Sequence, residues 1–578
     1  MGTSAHCAEL PFFCPSVPSR HGVASRVSKN RTYWAAIIAT ALTAVVVFSN
    51  TLSYGAAWDD QRFVFASGAT EGAAGIPDMF SQPMLRDMPA GRGAYRPLTT
   101  SSYALDWSIG NGQAAFFHKT NVLVHALVSV LVFVLLGRLG APVLAALFGG
   151  LVFAVHPVHV EAVANIAGRS ELLVALFSVA AAVVYLGPRE RMDEAKAEDI
   201  PPRLGRQASV LALFGLALLS KEHGVTLPAV LVAVELLRPG AVGAPVQRLL
   251  RRWPLWLGMS GMGATYLVAR QVVLGTLTTS DIAPFIAAIP TWHRVTTAVA
   301  NWSEYVRLHL FPLDLAVDYG PAVIMPSDPA ELRFWLGSAV GIAAITAATW
   351  AYRRDRLASL GLVWFAIVIL PSSNLLIPIA QWMAERFFYL PSVGFSMVVA
   401  AAWVGARRRL SESHIRAAGA AAILVVLLLS ARSWTRNGSW VDTETVIATL
   451  IDEHPEAFRS QWYMGRLLFE RGAWEEAFVA LDSATALQPY AIEMPLERVE
   501  WLLRLGRADE AEAVVTALPF GRHADREAHL TRALVAQGRR MEADAALAAA
   551  RQAFPTNATL RGLSDSLGTL PLPADSIR

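Results

Sequence analysis

Apolar runs long enough to cross a bilayer recur along most of this chain, and nothing constrains its fold more. The first covers residues 34–54. A hydrocarbon core about 30 Å thick requires about 20 consecutive apolar residues in a helix. With no water inside the core, such a segment must satisfy its own backbone polar groups, which leaves the helix as the conformation for isolated runs. Further candidate spans lie at 118–136, 142–155, 171–186, 208–220, 224–237, 254–272, 333–352, 357–370, 387–406 and 416–431, about eleven in all. Composition agrees: of 578 residues 54% are hydrophobic and 16% charged, against about 25% charged in soluble domains. The expectation is an all-α, polytopic membrane helical bundle.

A net charge of +3 points to no nucleic-acid partner. The basic residues sit in short loops between runs, where they report orientation. Arg26, Lys29 and Arg31 precede the first run, and Arg189, Arg191, Lys196, Arg203 and Arg206 follow the fourth. Arg248, Arg251 and Arg252, then Arg353, Arg354 and Arg356, then Arg407 to Arg409 follow later runs. All fall on the cytoplasmic side if 293–310, which carries Asn301, Glu304, Arg307 and His309, is an outer interfacial helix with Trp292 and Trp302 at headgroup depth. Segments 55–117, 156–170, 221–223, 274–332 and 371–386 are then outer loops, and the tail after 431 lies outside with them. Residues 1–33 hold both cysteines, Cys7 and Cys14, and read as a disordered cytoplasmic tail. A signal peptide is the rival reading, with Ser53 to Ala56 supplying small residues for cleavage.

The tail, 434–578, is polar and repetitive. Gly-x-x-x-Glu-Ala occurs at Gly472, Gly506 and Gly538, spaced by 34 and 32 residues. A period of 34 is that of the tetratricopeptide helix-turn-helix unit, of which about three are needed for a stable array. Such arrays bind polypeptides in a concave groove. The expected layout is thus a transmembrane domain over 34–433 and a helical-repeat solenoid over 434–578.

With this orientation, the unusual polar clusters all lie on the outer side. They are Trp58-Asp59-Asp60, Tyr95-Arg96-Pro97, His156-Pro157-Val158-His159-Val160-Glu161, Gly168-Arg169-Ser170-Glu171, Ser220-Lys221-Glu222, Asp318-Tyr319 and Glu385-Arg386 before Tyr389-Leu390. Ionisable groups near a membrane are costly and mark functional sites. The order of these segments, above all His-Pro-Val-His-x-Glu-x-Val, Gly-Arg-Ser, Ser-Lys-Glu and Ala-Glu-Arg-x-x-Tyr-Leu-Pro-Ser, resembles the transmembrane and tetratricopeptide-repeat (TMTC) protein O-mannosyltransferases. The resemblance covers most of 34–489. It implies a GT-C glycosyltransferase fold with chemistry in the acidic first outer loop. It also implies a polyprenyl-phosphate sugar donor, typically mannose, and a Ser or Thr hydroxyl acceptor on a translocated protein.

In such a transfer the acceptor hydroxyl needs a base. By resemblance this is Asp59 or Asp60, with the other orienting acceptor or sugar; Asp60 is preferred, although spacing does not choose between neighbours. The departing phosphate needs cations, and a guanidinium fork matches it. Arg386 and Arg169 lead, followed by Lys221 and Arg96. His156, His159, Glu161, Glu222, Asp318, Tyr319 and Glu385 complete the expected donor pocket. A metal is not expected, because Pro157 separates the two histidines, and no cofactor is expected beyond the lipid-linked sugar as co-substrate. The expected partners are that donor, membrane lipids and acceptor polypeptides held by the repeats. Two alternatives stand beside this: the same fold with a lipid or glycan acceptor, and a non-catalytic scaffold. Short repeats and compact loops favour a bacterial cytoplasmic membrane with the repeats on its periplasmic side.

Overall fold

The computed structural model describes residues 20–65, 67–85, 94–187, 204–239, 244–275, 286, 289–379, 381–489, 491–519, 523–555, 557 and 559–563. Side chains are described from residue 31 onward, so the expected tail at 1–33 lies almost wholly outside the described residues. Every regular element among the described residues is helical.

Among the described residues, five helices are long and apolar enough to cross a membrane: Arg31–Ser53, Ala114–Arg138, Ile166–Leu186, Leu332–Arg354 and Glu412–Trp440. A sixth is formed if Val143–Val155 and Pro157–Ala164, bent by 50°, are counted together. The bend falls where Pro157 has no N–H to give the preceding turn. The apolar stretch of Glu412–Trp440 buries none of its residues against the protein. Its Ile423, Leu424, Val425, Leu427 and Leu428 stand exposed, an arrangement that lipid tolerates and water does not. The chain is an integral, multi-pass membrane protein.

The expected count of about eleven spans is not confirmed among the described residues. Several of the expected spans are short helices, such as Leu204–Ser220 with 17 residues, Leu227–Leu237 with 11 and Arg356–Ile369 with 14. At 1.5 Å per residue, 11 residues reach about 17 Å, well short of the hydrocarbon core. Apolar composition was visible in the sequence, but helix ends were set by polar turns such as Lys221–Glu222. The short helices bury themselves against long neighbours instead. Arg356–Ile369 and Ser392–Arg409 meet backbone to backbone at Gly361 and Gly394, where a Cβ on either would come within 2.4 Å of the other's carbonyl oxygen. Residues 293–310 form no span: Thr291–Ala300 and Trp302–Leu310 are two short helices with Trp292 exposed.

The bundle's core runs continuously from Ala36 to Trp440, Val446 and Leu450, while a separate core starts at Phe458. Helix Glu412–Asn437 passes residue 433 unbroken, so the change of core lies some twenty residues later. Beyond it come three helical hairpins: Phe458–Glu470 with Trp474–Leu487, Glu493–Arg504 with Ala508–Ala517, and Ala524–Ala536 with Arg540–Ala553. Each turns at one of the repeated glycines, with φ of +80° at Gly472, +73° at Gly506 and +75° at Gly538. An added Cβ at Gly506 meets nothing within 4 Å, so only backbone conformation requires glycine there. Gly506→Ala is therefore expected to cost about 1 kcal/mol, read as a lower melting temperature of the full-length protein in detergent; an unchanged melting curve would contradict the left-handed turn.

Candidate active site

The loop after the first span places two neighbouring carboxylates in opposite circumstances. Asp60 is fully buried, and its oxygens accept the backbone N–H of Ala57 at 2.8 Å and of Ala167 at 2.7 Å. It ties its own loop to the turn at 165–168. Burial pushes its carboxyl up to about 7; the Asp59 charge adds to this, and the backbone donors oppose it. Asp59 is half-buried and has no hydrogen-bond or ion-pair partner among the described residues. It lies within electrostatic reach of Arg386, Glu161 and Tyr463.

Trp58, just before this pair, sits in the left-handed region with φ of +49°. A bulky residue there is strained by about 1–3 kcal/mol and persists only when its surroundings hold it. Those surroundings come from the far end of the chain. The Trp58 N–H donates to Thr443 Oγ1 at 2.9 Å, its ring lies 5.1 Å from that of Tyr463, and the Arg459 guanidinium is 5.7 Å from its centre. Gly55 N–H donates to the Val441 carbonyl at 2.9 Å.

Beyond Asp59 lies a cluster of cations, each matched by a carboxylate. Arg386 pairs with Glu161, which also accepts the Arg386 backbone N–H at 2.8 Å, and its guanidinium donates to Gln381 Oε1 at 2.8 Å. Lys221 pairs with Glu171. Burial pushes the Lys221 ammonium down to about 8, and Glu171 resists this. Arg96 grips Glu222 through Nε at 3.1 Å and Nη2 at 2.9 Å, and Arg270 reaches the other Glu222 oxygen at 3.1 Å. Four cations thus face three carboxylates, and the side chains of Arg386 and Arg96 each keep 21% exposure. Lys221 and Arg270 are buried, so Arg386 and Arg96 are the cations open to a ligand; their guanidinium forks suit a phosphate.

Arg169 has a different place. Its guanidinium is fully buried, paired with Asp106 at 2.6 Å, and donates to Asn121 Oδ1 and the Phe117 carbonyl at 2.8 Å each. It lies over Tyr103 at 4.7 Å. Its donors are used in tying helix 97–110 to its neighbours, and none faces the cluster. His156 and His159 are likewise bonded within the bundle, to the carbonyls of His309 at 3.0 Å and Phe153 at 2.9 Å. No group of three His, Cys, Asp or Glu among the described residues is placed to hold a metal. Asp318, Tyr319 and Glu385 form a separate buried joint. Tyr319 donates to Glu385 at 3.0 Å, Arg436 stands 3.9 Å from Glu385 and pairs with Glu453, and Asp318 lies 3.7 Å from Arg459. They fasten the last span and the first hairpin to the 314–320 loop.

Arg270, Thr443 and Tyr463 were not singled out from the sequence, and Glu171 stood there in a polar cluster without a role. Arg270 left a signal as a charged residue inside the apolar run 254–272. The other contacts depend on which loops meet in space.

The sequence has counterparts among known proteins. The chain is 26% identical over 402 residues to protein O-mannosyl-transferase F38B6.6 of Caenorhabditis elegans, covering 68% of this chain and 54% of that protein. It is 24% identical over 446 residues to protein O-mannosyl-transferase TMTC3 of Homo sapiens, covering 72% and 47%. Its curated homologues are protein O-mannosyl-transferases. The chain spans about half the length of these O-mannosyl-transferases, and the resemblance read from the sequence extends over most of the chain. No family model matches the chain. Among solved structures, ArnT from Cupriavidus metallidurans bound to undecaprenyl phosphate overlaps with a TM-score of 0.38 at 14% identity, covering 86% of this chain and 84% of that one. An overlap of that size says nothing of the chemistry.

The raised Asp60 carboxyl gives a test by titration. The folded protein holds that proton up to about pH 7, whereas an unfolded carboxyl releases it near about 4. Asp60 therefore favours the fold most below about pH 4, and its contribution is lost as pH rises toward 7. Asp60→Asn removes this dependence, so the difference in melting temperature between wild type and variant is expected to change across this window. A constant difference would mean Asp60 titrates as an ordinary carboxyl.

Proposed function

We propose that this protein is a membrane glycosyltransferase. It moves a sugar, mannose by the names of its homologues, from a polyprenyl-phosphate donor to a Ser or Thr hydroxyl of a polypeptide outside the cytoplasm. The observation that carries this is the unpaired Asp59 set beside a cluster of paired cations, of which Arg386 and Arg96 are accessible.

Each group has a task in that reaction. Asp59 takes the acceptor's proton as its oxygen attacks the anomeric carbon. The bond from that carbon to the phosphate oxygen breaks, and its electron pair stays with the phosphate. The growing phosphate charge faces Arg386 and Lys221, with Arg96 and Arg270 behind them. One displacement inverts the anomeric centre. Asp60, held by backbone donors, orients the loop and does not serve as base. Tyr463 of the first hairpin packs on Trp58 next to Asp59, which favours an acceptor that approaches from that hairpin. A repeat array that holds polypeptide beside the base raises its effective concentration there.

In a transfer assay with a polyprenyl-phosphate sugar and a Ser/Thr peptide, Asp59→Asn is expected to lower kcat by about 100- to 10,000-fold, the usual contribution of a general base, with insertion and melting unchanged. Undiminished transfer would mean that Asp59 is not the base; no transfer by the wild type to any acceptor would favour a scaffold, and transfer confined to lipid or glycan acceptors would keep the enzyme and change its substrate. Thr443→Val leaves the Trp58 N–H without its acceptor and is expected to slow transfer by about tenfold, with Thr443→Ser restoring it. Equal rates in Val and Ser variants would release Trp58 from any role in placing Asp59.

A further inference from the structure

The turn that carries Lys221 and Glu222 also carries His223, which the mechanism above leaves unused. His223 is 8% exposed, and neither of its ring nitrogens has a hydrogen-bond partner among the described residues. A buried imidazole left unpaired on both sides is costly. The other buried histidines of the bundle, His118, His125, His156, His159 and His309, each have at least one bond.

The ring's position is enforced. Gly224 N–H donates to the Lys221 carbonyl at 3.0 Å, and Thr226 Oγ1 donates to the His223 carbonyl at 2.8 Å. A Cβ on Gly224 would meet the Ala217 backbone at 2.7 Å, so the turn is pressed onto its preceding helix. Around Phe387 three groups converge: the Lys221 ammonium at 5.4 Å, the Arg386 guanidinium at 5.4 Å and the His223 ring at 6.4 Å from the ring centre. Both cations have carboxylate partners, whereas the imidazole has none. Burial, reinforced by the Lys221 charge, pushes it down to about 4. It is therefore neutral at physiological pH, with one N–H to give and one bare lone pair.

We propose that His223 is a hydrogen-bond donor to the lipid phosphate that this cluster binds, a phosphodiester in the intact donor and a phosphomonoester once the sugar has left, acting as a neutral ligand beside Lys221 and Arg386. The inference rests on the donor site proposed above. In the transfer reaction the phosphate gains charge as its bond to the sugar breaks. The imidazole keeps its proton and offers the N–H to a non-bridging oxygen. A neutral donor adds a bond without adding to the repulsion among the cations.

The test is binding of farnesyl phosphate to the full-length protein in detergent, by calorimetry, with inorganic phosphate in a parallel arm. His223→Leu keeps the apolar bulk and is expected to weaken farnesyl phosphate at least about tenfold, with most of the loss recovered by His223→Gln, which again has an N–H. His223→Met, more adaptable in packing, carries the same expectation should the leucine variant not melt cooperatively. Tight binding of farnesyl phosphate with weak inorganic phosphate assigns the site to a lipid phosphate; equal affinity assigns it to free phosphate, with His223 in the same role. If Lys221→Met weakens binding but His223→Leu and His223→Met match wild type, His223 has only a packing role and the donor site stands. If wild type binds neither ligand, the donor site and this inference fall together.

Discussion

A charge withdrawn from water into a membrane protein has to be met by an opposite charge or by hydrogen bonds, because the low dielectric makes the unpaired state far more costly than a paired one. This requirement organises the bundle. Asp106 meets Arg169, Glu161 meets Arg386, Glu171 meets Lys221, and Glu222 meets both Arg96 and Arg270. Elsewhere in the bundle Glu235 accepts from Tyr185 at 2.7 Å and from Arg248 at 2.8 Å. Even Asp60, with no cation, takes two backbone donors. Asp59 is the carboxylate of the cluster left outside this scheme, and it is half-exposed at the place where the cations gather.

The same rule explains why the loop carrying Asp59 is held by distant sequence. Its tight turn puts Trp58 in a strained conformation, and an unmet N–H there would cost about as much again. Thr443 supplies the acceptor and Tyr463 the ring contact, both from beyond the last span. The repeat end of the chain is thereby part of the wall around Asp59. Arg436 and Glu453, with Glu385 and Tyr319, secure that wall to the bundle.

Much of this was legible in the sequence, for a physical reason. Membrane helices leave a strong local signal, so the all-helical class, several of the spans and the turns at Gly472, Gly506 and Gly538 could be read directly. The clusters at Asp59, Lys221, Glu222 and Arg386 stood out because charge beside apolar runs is rare. Which charge faces which was not legible. Arg169 and Arg386 look alike along the chain, yet one is enclosed by Asp106 and Asn121 and the other opens toward Asp59. Asp59 and Asp60 are separated only by where the turn at 165–168 packs. The count of about eleven spans is not confirmed, because apolar composition does not tell a span from a short helix packed against its neighbours, as at 227–237.

The most direct measurement is a structure of the full-length protein with an intact polyprenyl-phosphate sugar bound. The phosphate is expected within hydrogen-bond distance, about 3 Å, of Lys221 or Arg386, with the anomeric carbon on the Asp59 side and the lipid tail between the spans. A phosphate bound elsewhere in the bundle, with Asp59 facing only solvent, would contradict the account.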